Sequence, residues 1–330
     1  MFRPTRKSLL LIFATLLLLL LPLLLQLLGE EYLISLASRI LIYALVAVSL
    51  DLMLGYGGMV SLGHAAFFGI GAYVVAIFSH HSFEGTPVLS WPFVLPGLDA
   101  ALLLWPLAIL IAALFALIIG ALSLRTSGMH FIMITLAFAQ MLFFFFVSLE
   151  AYGGDDGLSL FARNRIPGLD LGNDTHFYYL CLVLLGAFLL IAYRLVASRF
   201  GMVIRGSRDN EKRMQALGFP TFRYKLAGFV IAGAAAGLAG ALIANHTEYV
   251  SPGLMHWTHS GVILVMVLLG GRGTLFGPVL GAATFLILEE VLPIYTEHWM
   301  LYLGPVLILV VLFARHGIYG ILTGRERHHG

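Results

Sequence analysis

The chain has 330 residues, of which 60% are hydrophobic and 11% are charged, and its formal net charge is +2. A soluble globular protein averages about 45–50% apolar and about 25% charged residues, and it needs a charged, wet exterior. The composition therefore excludes a cytosolic enzyme, a nucleic-acid-binding module and a disordered chain, and it indicates a protein whose solvent is lipid.

The sequence predicts ten membrane-crossing helical segments in a single domain over residues 1–330. The full-length apolar runs are roughly 20 residues long, enough for a helix to cross a hydrocarbon core of about 30 Å, whereas a membrane β-barrel shows short alternating segments. In chain order, the predicted segments are 9–28, 33–54, 59–79, 100–122, 129–149, 177–196, 226–245, 260–270, 275–292 and 299–314. We therefore expect an all-α integral membrane protein, a polytopic helical bundle in which Gly-rich positions allow some segments to be broken or re-entrant.

Two of these segments need a separate argument. The first run follows Arg3, Arg6 and Lys7, but it is too long for a signal peptide and no small-residue cleavage site follows it, so we expect a retained helix. The stretch 260–292 contains Gly270–Gly273. Dividing it there into two short helices keeps the basic residues near the C-terminus on the same side as those near the N-terminus.

The basic residues sort across the membrane under this topology. Of the 19 Lys and Arg residues, all but Arg39, Arg163 and Arg165 fall on one side, which the positive-inside rule identifies as cytoplasmic. Both termini are then cytoplasmic, and loop 197–225 is a basic inner loop within the membrane domain.

Charges within the predicted segments are few, and Arg39 and Asp51 are the clearest. An ionisable residue in a membrane span is a functional candidate by default. Each of these two lies close enough to a segment end to reach polar surroundings, so a structural role is the favoured alternative. The segments contain no series of buried acids of the kind that relays protons, and the sequence has no Gly-x-x-x-x-Gly-Lys-Ser/Thr nucleotide motif. We therefore expect any transport to draw its energy from a partner.

The outer loop contains the run Gly153-Gly154-Asp155-Asp156-Gly157. It lacks the alternating acids of a calcium loop, so a solvated turn is favoured, with a partner-docking surface at Asp155 and Asp156 as the alternative. His256 and His259 have no third ligand nearby in the sequence, and no metal site is predicted.

Small residues are expected to pack within the chain. Cys181 lies in an apolar run and is predicted to be a core residue. Gly233, Gly237 and Gly240 recur on one predicted helix, and we favour close packing inside the chain over a subunit interface.

The inner loop predicts a short capped helix. Asp209 or Asn210 is a candidate N-cap, Glu211 would lie in the positive first turn, and Gly218 would follow the last helical residue, Leu217. Such a helix on the cytoplasmic face suits a docking element, although an ordinary basic juxtamembrane loop has the same composition.

Several motifs together resemble one known family. They are DLMLGYGGMVSLGHAAFFGIGAY at 51–73, Arg125-Thr126-Ser127-Gly128, the Gly-Gly-Asp-Asp-Gly run, the inner loop and LGGRGTLFGP at 269–278. Their order over about residues 38–320 resembles that of LivM-type permease subunits of branched-chain amino acid ABC transporters, and loop 197–225 resembles the coupling loop of ABC importer permeases. One departure is that Glu211-Lys212-Arg213 lacks both alanines of the general Glu-Ala-Ala coupling motif, so the contact residues are assigned by position.

The resemblance implies three groups of site residues. The ATPase-coupling residues implied are Arg205, Arg208, Asp209, Asn210, Glu211, Ala216, Leu217 and Gly218. Candidates for the pathway and for broken helices are Gly55, Gly57, Gly58, Ser61, His64, Gly270, Gly271 and Gly273. The outer-face docking candidates are Asp155 and Asp156, and no metal or catalytic residue is implied.

The resemblance also implies a function and partners. It implies a non-enzymatic permease of the ABC importer type in a bacterial inner membrane, which imports leucine, isoleucine or valine by alternating access. The expected partners are a second, LivH-like permease, two cytoplasmic ATPase subunits that hold the ATP and Mg²⁺, a periplasmic binding protein and the lipid bilayer. No nucleic acid is expected. The alternatives are a permease for urea or short amides and, less favoured, a stand-alone channel or ion-coupled carrier.

Overall fold

The helices follow the predicted order along the chain. The computed structural model describes residues 17–27, 29–89, 95–295, 298, 301, 304–305 and 317–323. The helices are α1 (Leu17–Leu27), α2 (Glu31–Asp51), α3 (His64–Glu84), α4 (Ala101–Ser123), α5 (Met129–Val147), α6 (Asp174–Ala197), α7 (Arg199–Asp209), α8 (Glu211–Ala216), α9 (Thr221–Thr247), α10 (Trp257–Gly270), α11 (Gly277–Tyr295) and α12 (Gly317–Thr323). Most of the predicted segment 299–314, the beginning of segment 9–28 and the terminal basic residues lie outside the described residues.

Two short antiparallel strand pairs lie in the connections between helices. Strand β1 (Pro87–Leu89) pairs with β2 (Leu95–Pro96), and β3 (Leu158–Ser159) pairs with β4 (Tyr249–Val250). The second pairing joins residues far apart in sequence, so it fixes the loop after α5 against the end of α9.

Seven helices in the described ranges are long and apolar enough to cross a membrane. They are α2 with a π-helical extension at Leu52–Tyr56, α3, α4, α5, α6, α9 and α11. Because the backbone in lipid must satisfy its hydrogen bonds internally, a bundle of such helices is a stable solution. The all-α polytopic fold class is confirmed.

Stretch 260–292 is divided into two helices, as predicted. Helix α10 ends at Gly270, and α11 begins at Gly277. The backbone between them turns through Gly271 at a φ of 115° and Gly273 at a φ of 72°, which only glycine adopts without strain.

The third segment begins at His64 rather than at residue 59. Gly58 has a φ of 66°, so the helix formed by α2 and its π-helical extension ends before it. Further along the connection, Ser61 Oγ accepts a hydrogen bond of 3.1 Å from the N–H of Gly63. This side-chain bond gives the backbone an alternative to the helix, so Gly57–Gly63 forms a loop.

Helix α9 lies in the middle of the bundle, against α3 and α4. A Cβ at Gly233 would lie 2.5 Å from the Cβ of Ala116, and one at Gly240 would overlap the backbone of Phe68. Gly237 faces Ala112 in the same way. The small residues therefore allow close backbone approach within the chain, which confirms the predicted intrachain packing.

Basic and acidic residues are concentrated at opposite ends of the bundle. We call the end that carries α7 and α8 the basic end, and its cationic residues include Arg125, Arg205, Arg208, Arg213, Arg223, Lys225 and Arg272. The opposite, acidic end includes Glu84, Asp99, Glu150, Asp155, Asp156, Asp170, Asp174 and Glu248. The helices alternate between these ends, so α2 and α4 run toward the basic end and α3, α5 and α9 run away from it.

Candidate functional site at the basic end

A cleft of about 600 Å³ opens at the basic end. Four segments form its walls: the loop after α2 at 57–60, the α4–α5 turn at 124–128, the α7–α8 junction at 207–211 and the first residues of α9. Segments from distant parts of the sequence therefore converge on the basic loop.

Helix α8 is capped as the sequence predicts. The Asn210 side-chain oxygen accepts a hydrogen bond of 3.0 Å from the N–H of Arg213, and Glu211 occupies the first turn. Gly218 has a φ of 86° just beyond the helix. The cap satisfies an orphan N–H and Glu211 complements the helix dipole, which explains why so short a helix forms.

Glu211 fixes α8 to the beginning of α9. Its carboxylate accepts hydrogen bonds from Lys225 Nζ at 2.7 Å and from Thr221 Oγ1 at 3.2 Å. Lys225 is 16% exposed and Glu211 is 38% exposed, so this ion pair is partly shielded from water. The rest of α8 projects outward, and the Leu217 side chain is 66% exposed.

Arg208 connects α7 to the end of α2. Its Nη1 atom donates a hydrogen bond of 2.6 Å to the carbonyl oxygen of Gly55. The last carbonyls of a helix lack intrahelical partners and carry the negative end of the dipole, so a cation is favourable there. The Arg208 stem also covers Gly58, where a Cβ would lie 2.6 Å from Arg208 Cγ.

Asp51 connects the same helix end to the α10–α11 turn. Its Oδ1 atom accepts a hydrogen bond of 2.8 Å from the N–H of Gly273. Gly55 lies directly against the Gly273 backbone, where a Cβ would stand 2.7 Å from Gly273 Cα. The sequence analysis named Asp51 as an ionisable residue in a predicted span and favoured a structural role for it, and the resemblance did not include it among the site residues. The available signal was an acid that precedes the Gly-rich run.

The predicted residues fall into three sets in the structure. Those that line the cleft are Gly57, Gly58, Arg208, Asp209, Asn210 and Glu211, with Gly55 and Gly273 directly behind it. Those exposed at the tip of the loop are Ala216, Leu217 and Gly218. The remaining inner residues are Ser61, His64, Arg205, Gly270 and Gly271, which lie outside the cleft lining.

The residues outside the cleft have local structural partners. His64 is fully buried, and its Nε2 atom lies 2.8 Å from Ser49 Oγ. Arg205 donates to the carbonyls of Gly201 and Val196, which holds α7 against the end of α6. Gly270 packs against the backbone of Gly277 where α10 meets α11.

Asp155 and Asp156 lie at the acidic end, far from the cleft. Both are exposed in the turn Gly154–Asp156, and the carbonyl of Asp156 accepts a hydrogen bond of 2.6 Å from Tyr249 Oη. The turn is therefore held in place while its carboxylates face outward. Among the residues that the structure describes, no three His, Cys, Asp or Glu side chains form a group that suits a metal ion.

Comparison with known proteins identifies the family. Residues 32–314 match the model of the permease component of branched-chain amino acid transport systems. The chain belongs to this family. The matched range contains every residue that lines the cleft.

Individual relatives agree with this assignment. The permease is 26% identical over 309 residues to the high-affinity branched-chain amino acid transport system permease protein LivM of Salmonella typhimurium, covering 86% of this chain and 69% of that protein. It is 27% identical over the same length, with the same coverage, to LivM of Escherichia coli. It is also 27% identical over 289 residues to LivH of Salmonella typhimurium, covering 84% of this chain and 91% of that one.

No solved structure matches the permease. The chain is thus similar in sequence to both LivM and LivH proteins.

Proposed function

We propose that the permease is the membrane subunit of an ATP-driven importer of branched-chain amino acids, and that it works by alternating access. Its family and its relatives' names support the substrate class. Leucine, isoleucine and valine are the expected substrates, and the ATP and Mg²⁺ belong to separate ATPase subunits.

The α7–α8 segment is this chain's proposed docking element for the ATPases, of which the importer has two cytoplasmic subunits. It is anchored to the bundle by Arg208 and Glu211, yet it exposes Leu217 and the neighbouring Phe219 at 66% and 39%. A rigid, projecting helix with apolar residues among charges is suited to insertion into a groove of a partner.

The contact between Arg208 and Gly55 is the observation that carries the proposal. Together with the bond from Asp51 to Gly273, it connects the α7–α8 segment to both α2 and the α10–α11 turn. ATPase closure that displaces this segment would therefore tilt helices on two sides of the bundle, as rigid-body alternation requires.

The proposed orientation of the basic and acidic ends in the membrane indicates the remaining partners. The positive-inside rule assigns the basic end to the cytoplasm of a bacterial inner membrane, with both termini on that side. The acidic end then faces the periplasm, where Asp155 and Asp156 are proposed to contact a substrate-binding protein. Since this permease is similar to LivH as well as to LivM, a LivH-like second permease is the proposed membrane partner.

Reconstitution tests this proposal. The permease, a second permease, the ATPases and the binding protein are assembled in proteoliposomes, and uptake of labelled leucine is measured with ATP. Uptake should require every component and should be inhibited by valine and isoleucine but not by urea or short amides. Leucine uptake by this chain without the ATPases would instead support a channel or carrier.

A further inference from the structure

A second cleft opens at the acidic end, between the first half of α2 and the last turn of α9. Its volume is about 340 Å³, and its aliphatic walls are formed by Leu36, Ile243 and Leu254. The polar part of the lining consists of Arg39, the His246 ring and the hydroxyl groups of Tyr32, Ser35, Tyr43, Thr247, Tyr249 and Ser251. The surface is therefore divided between apolar and hydrogen-bonding groups, which suits a small molecule with an aliphatic side chain and a polar head.

Arg39 places a positive charge in this cleft. Its side chain is 34% exposed, and its guanidinium carbon lies 5.8 Å from the centre of the Tyr43 ring. Tyr43 is in turn held by His259, whose Nε2 atom lies 3.4 Å from the tyrosine oxygen. The guanidinium therefore lies against the Tyr43 ring, which His259 holds in place, and Arg39 belongs to a membrane-spanning helix.

The charge of Arg39 is balanced by Glu289 on α11. Their closest atoms, Nη2 and Oε1, are 3.5 Å apart, and Glu289 is 31% exposed. A guanidinium has five N–H donors and can bind a carboxylate through two of them at about 2.7–2.9 Å, so this contact is looser than a full bidentate pair. Partly exposed ion pairs add about 1 kcal/mol or less, and ionisable groups in membrane spans are typical of substrate pathways.

We propose that this cleft is an entry site for a zwitterionic aliphatic α-amino acid, in which Arg39 binds the α-carboxylate and the aliphatic wall receives the side chain. The inference rests on the proposed function. The ligand carboxylate takes the place of Glu289 at the guanidinium, and the α-ammonium, one carbon away from that carboxylate, then lies beside the displaced glutamate. Both the zwitterion and the Arg39–Glu289 pair have zero net charge, so binding adds no net charge to the cleft.

Photolabelling tests the site directly. The complete importer is placed in nanodiscs without ATP and irradiated with a leucine analogue that carries a diazirine in its side chain. Labelled peptides are then identified by mass spectrometry. We expect label on the α2 peptide containing Leu36 or the peptide containing Ile243, and we expect excess leucine to compete for it while leucinamide, which lacks the carboxylate, does not.

Variants separate the charge from the fold. Arg39→Gln should reduce labelling about tenfold, the loss expected for one charge-assisted hydrogen bond. Leu36→Trp should reduce it by filling the apolar wall without touching the ion pair. Arg165→Gln removes an arginine that is 84% exposed at the same end and should leave labelling unchanged.

The outcomes distinguish this inference from the proposed function. If the wild-type importer takes up leucine but labels elsewhere, or if Arg39→Gln and Leu36→Trp both label like wild type, Arg39 is only a structural partner of Glu289 and the inference is wrong. If the wild-type importer takes up no leucine, the proposed function itself fails.

Discussion

Arg208 Nη1 donates a hydrogen bond to the carbonyl oxygen of Gly55, although the two residues are 153 positions apart in the chain. The bond joins an amphipathic helix at the basic end to the π-helical turn that extends α2. Because the acceptor is a backbone atom, it is present whichever residue occupies position 55. The Arg208 side chain therefore determines whether the hydrogen bond exists.

Removing this donor should uncouple transport from ATP hydrolysis. A hydrogen bond from a charged group contributes about 1.5–3 kcal/mol, so Arg208→Ala should weaken the connection substantially. In proteoliposomes, leucine uptake per ATP hydrolysed should fall about fivefold or more. Arg223→Ala removes an exposed arginine from the same end and serves as the control. Equal ratios in the two variants would contradict a coupling role for Arg208.

Asp51 should tolerate an amide but not a methyl group. Asn keeps an oxygen that accepts from the N–H of Gly273, whereas Ala leaves that N–H without its acceptor at a cost of about 1–3 kcal/mol. Asp51→Ala should therefore lower the thermal unfolding temperature of the detergent-solubilised permease, and Asp51→Asn should remain near wild type. If both variants unfold at the same lower temperature, the negative charge rather than the hydrogen bond is what stabilises the turn.

The ion pair between Glu211 and Lys225 should survive a charge exchange. Glu211→Lys should release α8 and reduce co-purification of the ATPases, and adding Lys225→Glu should restore much of it, because the 2.7 Å contact is then rebuilt with reversed signs. The coupling between the two positions is expected to be about 1 kcal/mol or less, since Glu211 is partly exposed. Without recovery in the double variant, Glu211 itself would be a docking contact.

Substitution of Gly58 should destabilise the protein more than substitution of a glycine in an open part of the structure. Its φ is 66°, and a Cβ would meet Arg208 Cγ at 2.6 Å, so Gly58→Ala should destabilise the permease by about 1–3 kcal/mol. Gly186 lies within α6, where an added Cβ would have no neighbouring atom within 4 Å, and Gly186→Ala should be neutral or stabilising by up to about 1 kcal/mol. The difference in unfolding temperature between the two variants measures the constraint at Gly58.

Local sequence patterns predicted the features that depend on neighbouring residues. The Asn210 cap, the glycine after α8 and the break between α10 and α11 all have their causes within a few positions, and the structure contains each of them. The small-residue pattern of α9 also predicted close packing, because it is periodic on a single helix.

Features that depend on tertiary contacts were missed. Helix α7 was absent from the prediction because its stretch has polar and glycine residues and forms a helix by packing Val203 and Ile204 against the bundle. The start of α3 at His64 involves Ser260 on α10, whose Oγ accepts a hydrogen bond of 3.0 Å from the N–H of Ala65. The bond between Arg208 and Gly55 has no local signature, since its partners lie in unrelated motifs.

Cys181 has a practical consequence. It is the one cysteine of the sequence, and it is 1% exposed on α6. A cysteine introduced at an exposed position can therefore be modified selectively by a membrane-impermeant maleimide without first removing the native thiol. Introduced at Leu217 and at Asp155, such reporters give opposite accessibility in intact cells if the two ends face opposite compartments, and paired spin labels on them record how far the ends move during an ATPase cycle.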